Sequence, residues 1–144
     1  MPEKQTMERA HEDAREGKSA STQAGEFVRE EMHHIREGKH GARSPQQAIA
    51  IGLSKARRAG VKLNPPKGPA SVRHKAEKDE EAGEHPHKTS RKRSRAVEGV
   101  LKREPRSSAS RGALSKQAKR AAAKRGPQSR SEAASKAART RKAA

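Results

Sequence analysis

The sequence lacks cysteine, tyrosine and tryptophan, and it contains a single phenylalanine. Without cysteine the chain can form neither a disulfide framework nor a thiolate metal site. Without several aromatic side chains it offers few surfaces on which single-stranded bases could stack. No apolar run approaches the roughly 20 residues of a membrane-spanning helix, and residues 1–18 lack the apolar segment of a secretory signal. We therefore expect a cytoplasmic protein.

Large apolar residues are also scarce. Leu, Ile, Val and Phe account for 13 of the 144 residues, about 9%, well below the roughly 20% under which a highly charged chain is expected to be disordered. Ordering one residue costs about 1 kcal/mol or more, whereas burying one large apolar side chain returns about 1.5–3 kcal/mol. Most of the large apolar residues lie in the first 63 positions, so any folded nucleus is expected there.

Positive charge is what the sequence has in excess. It contains 35 Lys and Arg against 17 Asp and Glu, for a formal net charge of +18. The distribution is uneven, because residues 1–63 carry a net charge of +3 and residues 64–144 carry +15. Such a dense positive charge attracts phosphate polymers. The second half is therefore predicted to bind nucleic acid.

Residues 21–38 have the apolar spacing of an amphipathic helix. Apolar positions recur at intervals of four and three, which places them on one helical face. The members of this face are Phe27, Val28, Met32 and Ile35. Ser21 or Thr22 is expected to cap the start of the helix, and Gly38 is expected to end it.

Residues 44–60 carry the most complete helix signals in the chain. Ser44, Pro45 and Gln47 fit an N-cap, a first helical position and a capping-box partner, and Gly60 follows a basic last turn. The predicted core face consists of Ile49, Leu53 and Ala56, and the small residues Ala48 and Gly52 beside it permit close approach of a neighbouring helix.

Together these patterns predict a mostly α-helical protein with a short helical hairpin at about residues 22–60. The hairpin belongs to a helical module at 1–63, which also includes a weak helix near 6–16. A disordered linker is expected at 64–90, followed by a basic low-complexity arm at 91–144. The arm is expected to be largely disordered with marginal helices, because Ala, Lys and Arg favour helix but provide no apolar face there. The hairpin is expected to self-associate or to bind a protein partner.

The expected function is non-enzymatic DNA binding of low sequence specificity at the nucleoid, with Lys and Arg contacting the phosphate backbone. The predicted contact residues are Arg57, Arg58, Arg91, Lys92, Arg93, Arg95, Lys116, Lys119, Arg120, Lys124, Arg125, Arg139, Arg141 and Lys142. Phe27 is expected in the core and not on a base-stacking surface, which favours duplex over single-strand binding. Two alternatives remain open: an RNA- or ribosome-associated basic protein, and a stress-linked protein-interaction module whose tail only confers solubility.

No sequence motif indicates catalysis, since the chain has no P-loop, dinucleotide-binding glycine pattern, HExxH or nucleophile elbow. His33, His34 and His40 are close in sequence, but adjacent helical residues point about 100° apart. No cysteine supports them as ligands, so neither a metal nor a cofactor is expected. Glu30 and Glu31 are expected on solvated helix surface, where nothing would tune them for acid–base chemistry.

Two segments resemble known families. QAIAIGLSKARRAG at 47–60, with a looser likeness over 24–63, resembles a family of small basic bacterial proteins that has a domain of unknown function. AKRAAAKRG and SKAARTRKAA in the tail resemble the Lys/Ala-rich arms of linker histones and of bacterial histone-like proteins. These resemblances imply DNA binding and supply no catalytic residues.

Overall fold

A computed structural model describes residues 1–143 of the chain. Over these residues the protein forms seven α-helices and one short 3₁₀ helix. In chain order they are α1 (Lys4–Arg15), α2 (Ala20–Arg36), α3 (Pro45–Arg58), α4 (Ala70–Glu84), α5 (Arg91–Arg103), the 3₁₀ helix (Ser107–Ala109), α6 (Arg111–Lys124) and α7 (Pro127–Ala143). The chain divides into a first unit that ends at Ser110 and a second unit that begins at Arg111. None of the described helices is both long and apolar enough to cross a membrane.

The predicted fold class, a hairpin followed by a largely disordered basic arm, is wrong. Helices α5, α6 and α7 occupy most of the described part of the arm at 91–144, and α4 occupies most of the expected disordered linker at 64–90. No residue of α5, α6 or α7 is buried. These helices therefore depend on the high intrinsic helix propensity of Ala, Lys, Arg and Gln. Apolar content alone does not predict them.

Helix α2 is the central element of the first unit, where it packs against α1 and α3, and α3 in turn packs against α4. Buried apolar side chains from α1, α2, α3 and the segment after α3 form the core. They are Ala10, Ala24, Phe27, Ala56 and Val61. Three of these five residues are alanine, so the core is thin and requires short distances between helices.

The residues that the sequence predicts for the hairpin core lie at different depths. Phe27, Ile35 and Ala56 are fully buried, and Met32 is nearly so. Val28, Ile49 and Leu53 are only partly buried. Helix α1, predicted only as a weak helix, packs on the same core through Ala10, and the buried Thr6 lies one turn before Ala10.

The first three helices end in the same way. Gly17, Gly38 and Gly60 follow the C-caps of α1, α2 and α3 with φ angles of 73°, 79° and 93°. The residue after each glycine donates its backbone N–H to a carbonyl five positions earlier, as Val61 does to Ala56 at 3.0 Å. Each glycine also donates its own N–H to the carbonyl three positions earlier. These two bonds and the left-handed glycine form a Schellman motif. The predicted stops at Gly38 and Gly60 are confirmed.

The sequence predicts the start of α3 correctly but not the start of α2. At α3, the Ser44 hydroxyl accepts from the Gln47 backbone N–H at 3.2 Å, as predicted. The Gln47 side chain accepts from the N–H of Arg43 at 2.7 Å, one residue earlier than a regular capping box. At α2, Ser19 is the cap and not Ser21 or Thr22, because Ser19 accepts from the Thr22 N–H. Helix α2 therefore begins two to three residues earlier than predicted.

Helices α2 and α3 approach each other closely at Gly52. A Cβ atom at this position would lie 2.7 Å from the Cα of Val28, nearer than two carbon atoms can approach without displacing backbone. The predicted close approach at Gly52 is therefore confirmed, and its contact on α2 is the backbone itself.

Replacing Gly52 with alanine should push α3 away from α2 and destabilise the first unit by about 1–3 kcal/mol, the usual cost of overpacking. Gly25, which lies exposed on α2 with nothing within 4 Å of where a Cβ atom would stand, is the matched control. Gly25→Ala should stabilise the protein by up to about 1 kcal/mol, because alanine favours helix. Urea denaturation followed by circular dichroism measures both. A gain in stability for Gly52→Ala similar to that of Gly25→Ala would contradict the close packing.

The contact between α3 and α4 includes a buried carboxylate, Asp79. It accepts hydrogen bonds from the Ser54 hydroxyl, from Arg58 Nε at 2.8 Å and from Lys75 Nζ at 2.5 Å. Burial acts to raise the pKa of Asp79, but the hydrogen bonds from Lys75, Ser54 and Arg58 outweigh it and hold the pKa below its usual value. Asp79 thus remains ionised at neutral pH and links α4 to α3.

This shift predicts a pH-dependent contribution to stability. The pKa of Asp79 is lower in the folded state than in the unfolded state, where it is about 3.9. Its stabilising effect is therefore complete above the unfolded value and is lost as the pH falls through the folded value. Asp79→Asn should lower the free energy of unfolding by about 1–3 kcal/mol at pH 7, as expected for the removal of hydrogen bonds to a charge.

Denaturation of wild type and Asp79→Asn between pH 7 and acidic pH tests this prediction. The difference between the two proteins should shrink as the pH falls below about 4. Glu81→Gln, at an exposed position on the same helix, is the control and should change stability by less than about 0.5 kcal/mol. A constant difference at all pH values would show that Asp79 acts through packing and not through its charge.

Candidate nucleic-acid interface

Helix α6 carries a basic stripe along one face. The spacing of Lys116, Lys119, Arg120 and Lys124 places their side chains within one side of the helix, and all four are exposed. From residue 111 onward the sequence has eleven basic residues and one acidic residue, Glu132. Glu132 accepts a hydrogen bond from the Gln128 side chain at 3.3 Å, and no ion pair forms within residues 111–143. The positive charge of the described part of this unit is therefore uncompensated internally.

The other predicted contact residues of the second unit are also exposed, but they do not share one face of a helix. Arg125 lies between α6 and α7, and Arg139, Arg141 and Lys142 lie near the end of α7. Cations near a helix C-terminus interact favourably with the helix dipole. Helical spacing directs these α7 side chains to different sides of the helix, so α7 has a basic circumference and no single basic face.

Helix α5 of the first unit begins with a basic cluster that the sequence analysis predicts as a contact. Arg91, Lys92, Arg93 and Arg95 are all exposed, and no described acidic side chain forms an ion pair with them. The first turn contains no acidic residue, and Ser90 makes no side-chain capping bond. Four cations thus surround the positive end of the helix dipole, which is unfavourable without an anion. Only the far end of α5 is compensated, where the hydrogen bond from Lys102 lowers the pKa of Glu98.

Arg57 and Arg58 are placed differently from the other predicted contacts. Arg57 is buried, with 8% of its surface exposed, and its guanidinium donates to the Asn64 carbonyl at 3.4 Å. Arg58 is held by Asp79 at 2.8 Å. The structure therefore uses Arg57 inside the first unit and pairs Arg58, whose side chain is 53% exposed, with a carboxylate of α4.

Several further cations of the first unit are also paired. Arg9 contacts Glu26, Lys18 contacts Asp13, Lys55 contacts Glu31 and Lys62 contacts Glu84. These pairs neutralise much of the positive charge of α1, α2, α3 and the segment that follows α3. Ion pairing in the structure thus distinguishes these elements from α6 and α7, where the positive charge is unpaired. Net charges counted from the sequence do not show which cations are paired.

Sequence reasoning does not single out two further exposed cations of α7, Arg130 and Lys136. Each of them stands apart from the dense runs of Lys and Arg. The sequence feature that covers these two residues is the net positive charge of the whole segment. The single phenylalanine, Phe27, is fully buried and so presents no aromatic surface to a nucleic-acid base.

Comparison with known proteins bears on the first unit. No curated protein and no solved structure matches the chain. Residues 15–68 match a family of unknown function, DUF6496. The matched segment includes all of α2 and α3 and ends before α4, so it contains none of the basic side chains of α5, α6 and α7. The chain therefore carries a domain of unknown function, DUF6496, at residues 15–68.

Proposed function

We propose that this protein binds duplex DNA through its phosphate backbone, with little sequence specificity and without catalysing a reaction. Helices α6 and α7 are the principal contact, and the basic cluster at the start of α5 is a second one. The observation that carries this proposal is the second unit's charge: eleven basic residues, one acidic residue and no ion pair within residues 111–143.

The α6 stripe has dimensions suited to a phosphate backbone. From Lys116 to Lys124 the helix rises about 12 Å, at 1.5 Å per residue. Duplex DNA carries one negative charge per about 1.7 Å of its axis, so several phosphates lie within that length. Because the helix presents these side chains in a fixed spacing, less side-chain freedom is lost on binding than in an unstructured tail.

The start of α5 supports the same kind of ligand. Its cations repel one another and the positive end of the helix dipole. A phosphate placed there relieves both repulsions and also accepts from the free backbone N–H groups of the first turn.

The choice of duplex DNA over single strands follows from the lack of an exposed phenylalanine, tyrosine or tryptophan. Proteins that bind single strands usually stack bases on aromatic side chains, and Phe27 is buried in the core. The likeness of the tail to linker-histone arms and the nucleoid location form part of this proposal. Self-association through the hairpin does not, because α1 and Val61 cover its Phe27 face within the first unit.

Mobility-shift titrations of the full chain with a short duplex at several salt concentrations test the proposal. The variant Lys116→Gln/Lys119→Gln/Arg120→Gln/Lys124→Gln should bind more weakly than wild type. Its log–log salt dependence should fall by about 0.9 for each phosphate that the variant no longer neutralises. Lys4→Gln/Arg15→Gln/Lys67→Gln/Lys78→Gln removes the same charge from exposed positions of the first unit and should have a much smaller effect.

Three results would contradict the proposal. Equal weakening of binding in both variants would mean that net charge, and not the α6 stripe, determines affinity. Tighter binding to a structured RNA than to the duplex at the same salt concentration would favour the RNA-associated alternative. A wild-type protein that binds neither nucleic acid at low ionic strength would leave the protein-interaction alternative.

A further inference from the structure

A second polar cluster lies in the first unit, where the segment before α1 meets α2. It consists of the carboxylates of Glu3 and Glu30 and the imidazole of His34. Glu30 and His34 are one turn apart on α2, and the backbone N–H of Glu3 donates to Glu30 Oε1 at 3.0 Å. All three side chains line a cleft of about 200 Å³.

Glu30 is the unusual member of this cluster. The sequence predicts it on solvated surface, but it is 3% exposed. No described Lys or Arg lies within ion-pair distance of it, and its Oε2 atom is buried without a hydrogen-bond partner. Burying a carboxylate without a cation is costly. The site therefore lacks a cationic side chain that would balance the charge of the Glu30 carboxylate.

The neighbouring Glu31 shows how such a charge is normally satisfied. It is also buried, at 1% exposed, which corrects the same prediction of a solvated position. One oxygen of its carboxylate lies 2.7 Å from Lys55 Nζ, and the other lies 2.7 Å from His40 Nε2. Glu31 therefore has a lysine within ion-pair distance, whereas Glu30 has only the imidazole of His34.

The donor atoms of the cluster are spaced as ligands of one small cation. His34 Nε2 lies 2.9 Å from Glu3 Oε1 and 3.7 Å from Glu30 Oε1. In a tetrahedral Zn²⁺ site the metal–ligand bonds are about 2.0–2.1 Å, so two ligand atoms lie roughly 3.4 Å apart. One of the two distances here is shorter than this value and the other is longer.

We propose that Glu3, Glu30 and His34 form a binding site for a divalent transition-metal ion of the Zn²⁺ type. Two carboxylate oxygens and one imidazole nitrogen suit such an ion, and the cleft leaves a further coordination position open to water. The Glu3 N–H orients the Glu30 carboxylate, as outer partners do in metal sites. Lys39, which lies 3.2 Å from Glu3 and is half exposed, moves to solvent when the ion binds. The ion ties the segment before α1 to α2.

Isothermal titration of the full chain with ZnCl₂ at neutral pH tests this site. Wild type is expected to bind one Zn²⁺ per chain. His34→Gln and Glu30→Gln should each weaken binding by at least about tenfold, since removal of an outer partner alone costs about 10–100-fold. Glu3→Gln should also weaken binding, and because Glu3 is half exposed this variant does not place an altered side chain in the core.

The controls separate this site from three exposed histidines elsewhere in the chain. His11→Gln, at an exposed position on α1, and His85→Gln/His87→Gln, at exposed positions after α4, should bind Zn²⁺ as wild type does. Added Zn²⁺ should raise the Tm of wild type, measured by circular dichroism, and should not raise that of His34→Gln. Absence of stoichiometric binding by wild type, unchanged binding by Glu3→Gln and His34→Gln, or failure of the His85/His87 variant to bind would each overturn the proposal.

Discussion

The close approach of α2 and α3 at Gly52 is the contact on which the first unit depends. With one phenylalanine and few large aliphatic residues, the core cannot be filled by volume, so the space between helices has to be reduced. The fully buried alanines Ala24, Ala48 and Ala56 reduce this space in the same way, because their side chains are small. The close approach recurs between α3 and α4, where a Cβ on Gly83 would lie 2.7 Å from the Arg57 carbonyl oxygen.

A core this thin leaves polar side chains buried beside it. Glu31 and Asp79 lie inside the first unit because the helices that carry them pack closely, and each is matched by cations, as Asp79 is by Arg58 and Lys75. Breaking a buried pair leaves an uncompensated charge, which is more costly than the pair is stabilising. These pairs thus specify how the helices dock. One of them also pairs Arg58 with Asp79, although the Arg58 side chain stays 53% exposed.

The sequence predicts what local rules control and fails where distant residues decide. The helix stops at Gly38 and Gly60 and the cap at Ser44 follow from local backbone chemistry, and the structure confirms all three. The pairing of Arg58 with Asp79 joins residues 21 positions apart and leaves no local signal. The burial of Glu31 does have a signal, because Glu31 is four residues from Phe27 and four from Ile35 and so lies on the apolar face. Helices α5 to α7 contradict the expected disorder because their helix propensity outweighs their low apolar content.

The two proposed sites bind ligands of opposite charge, and local compensation explains how one chain can hold both. At physiological ionic strength, exposed charges more than about 8–10 Å apart are largely screened, so each site responds to its own neighbours and not to the net charge of +18. The cleft beside Glu30 is lined by both acidic and basic side chains, among them Glu37 and Arg29, and its buried carboxylate lacks a fixed cation. Along α6 the reverse holds, since cations follow one another on a single face without an acidic neighbour. A polyanion is attracted to the second surface and a small cation to the first because each supplies the charge that its surroundings lack.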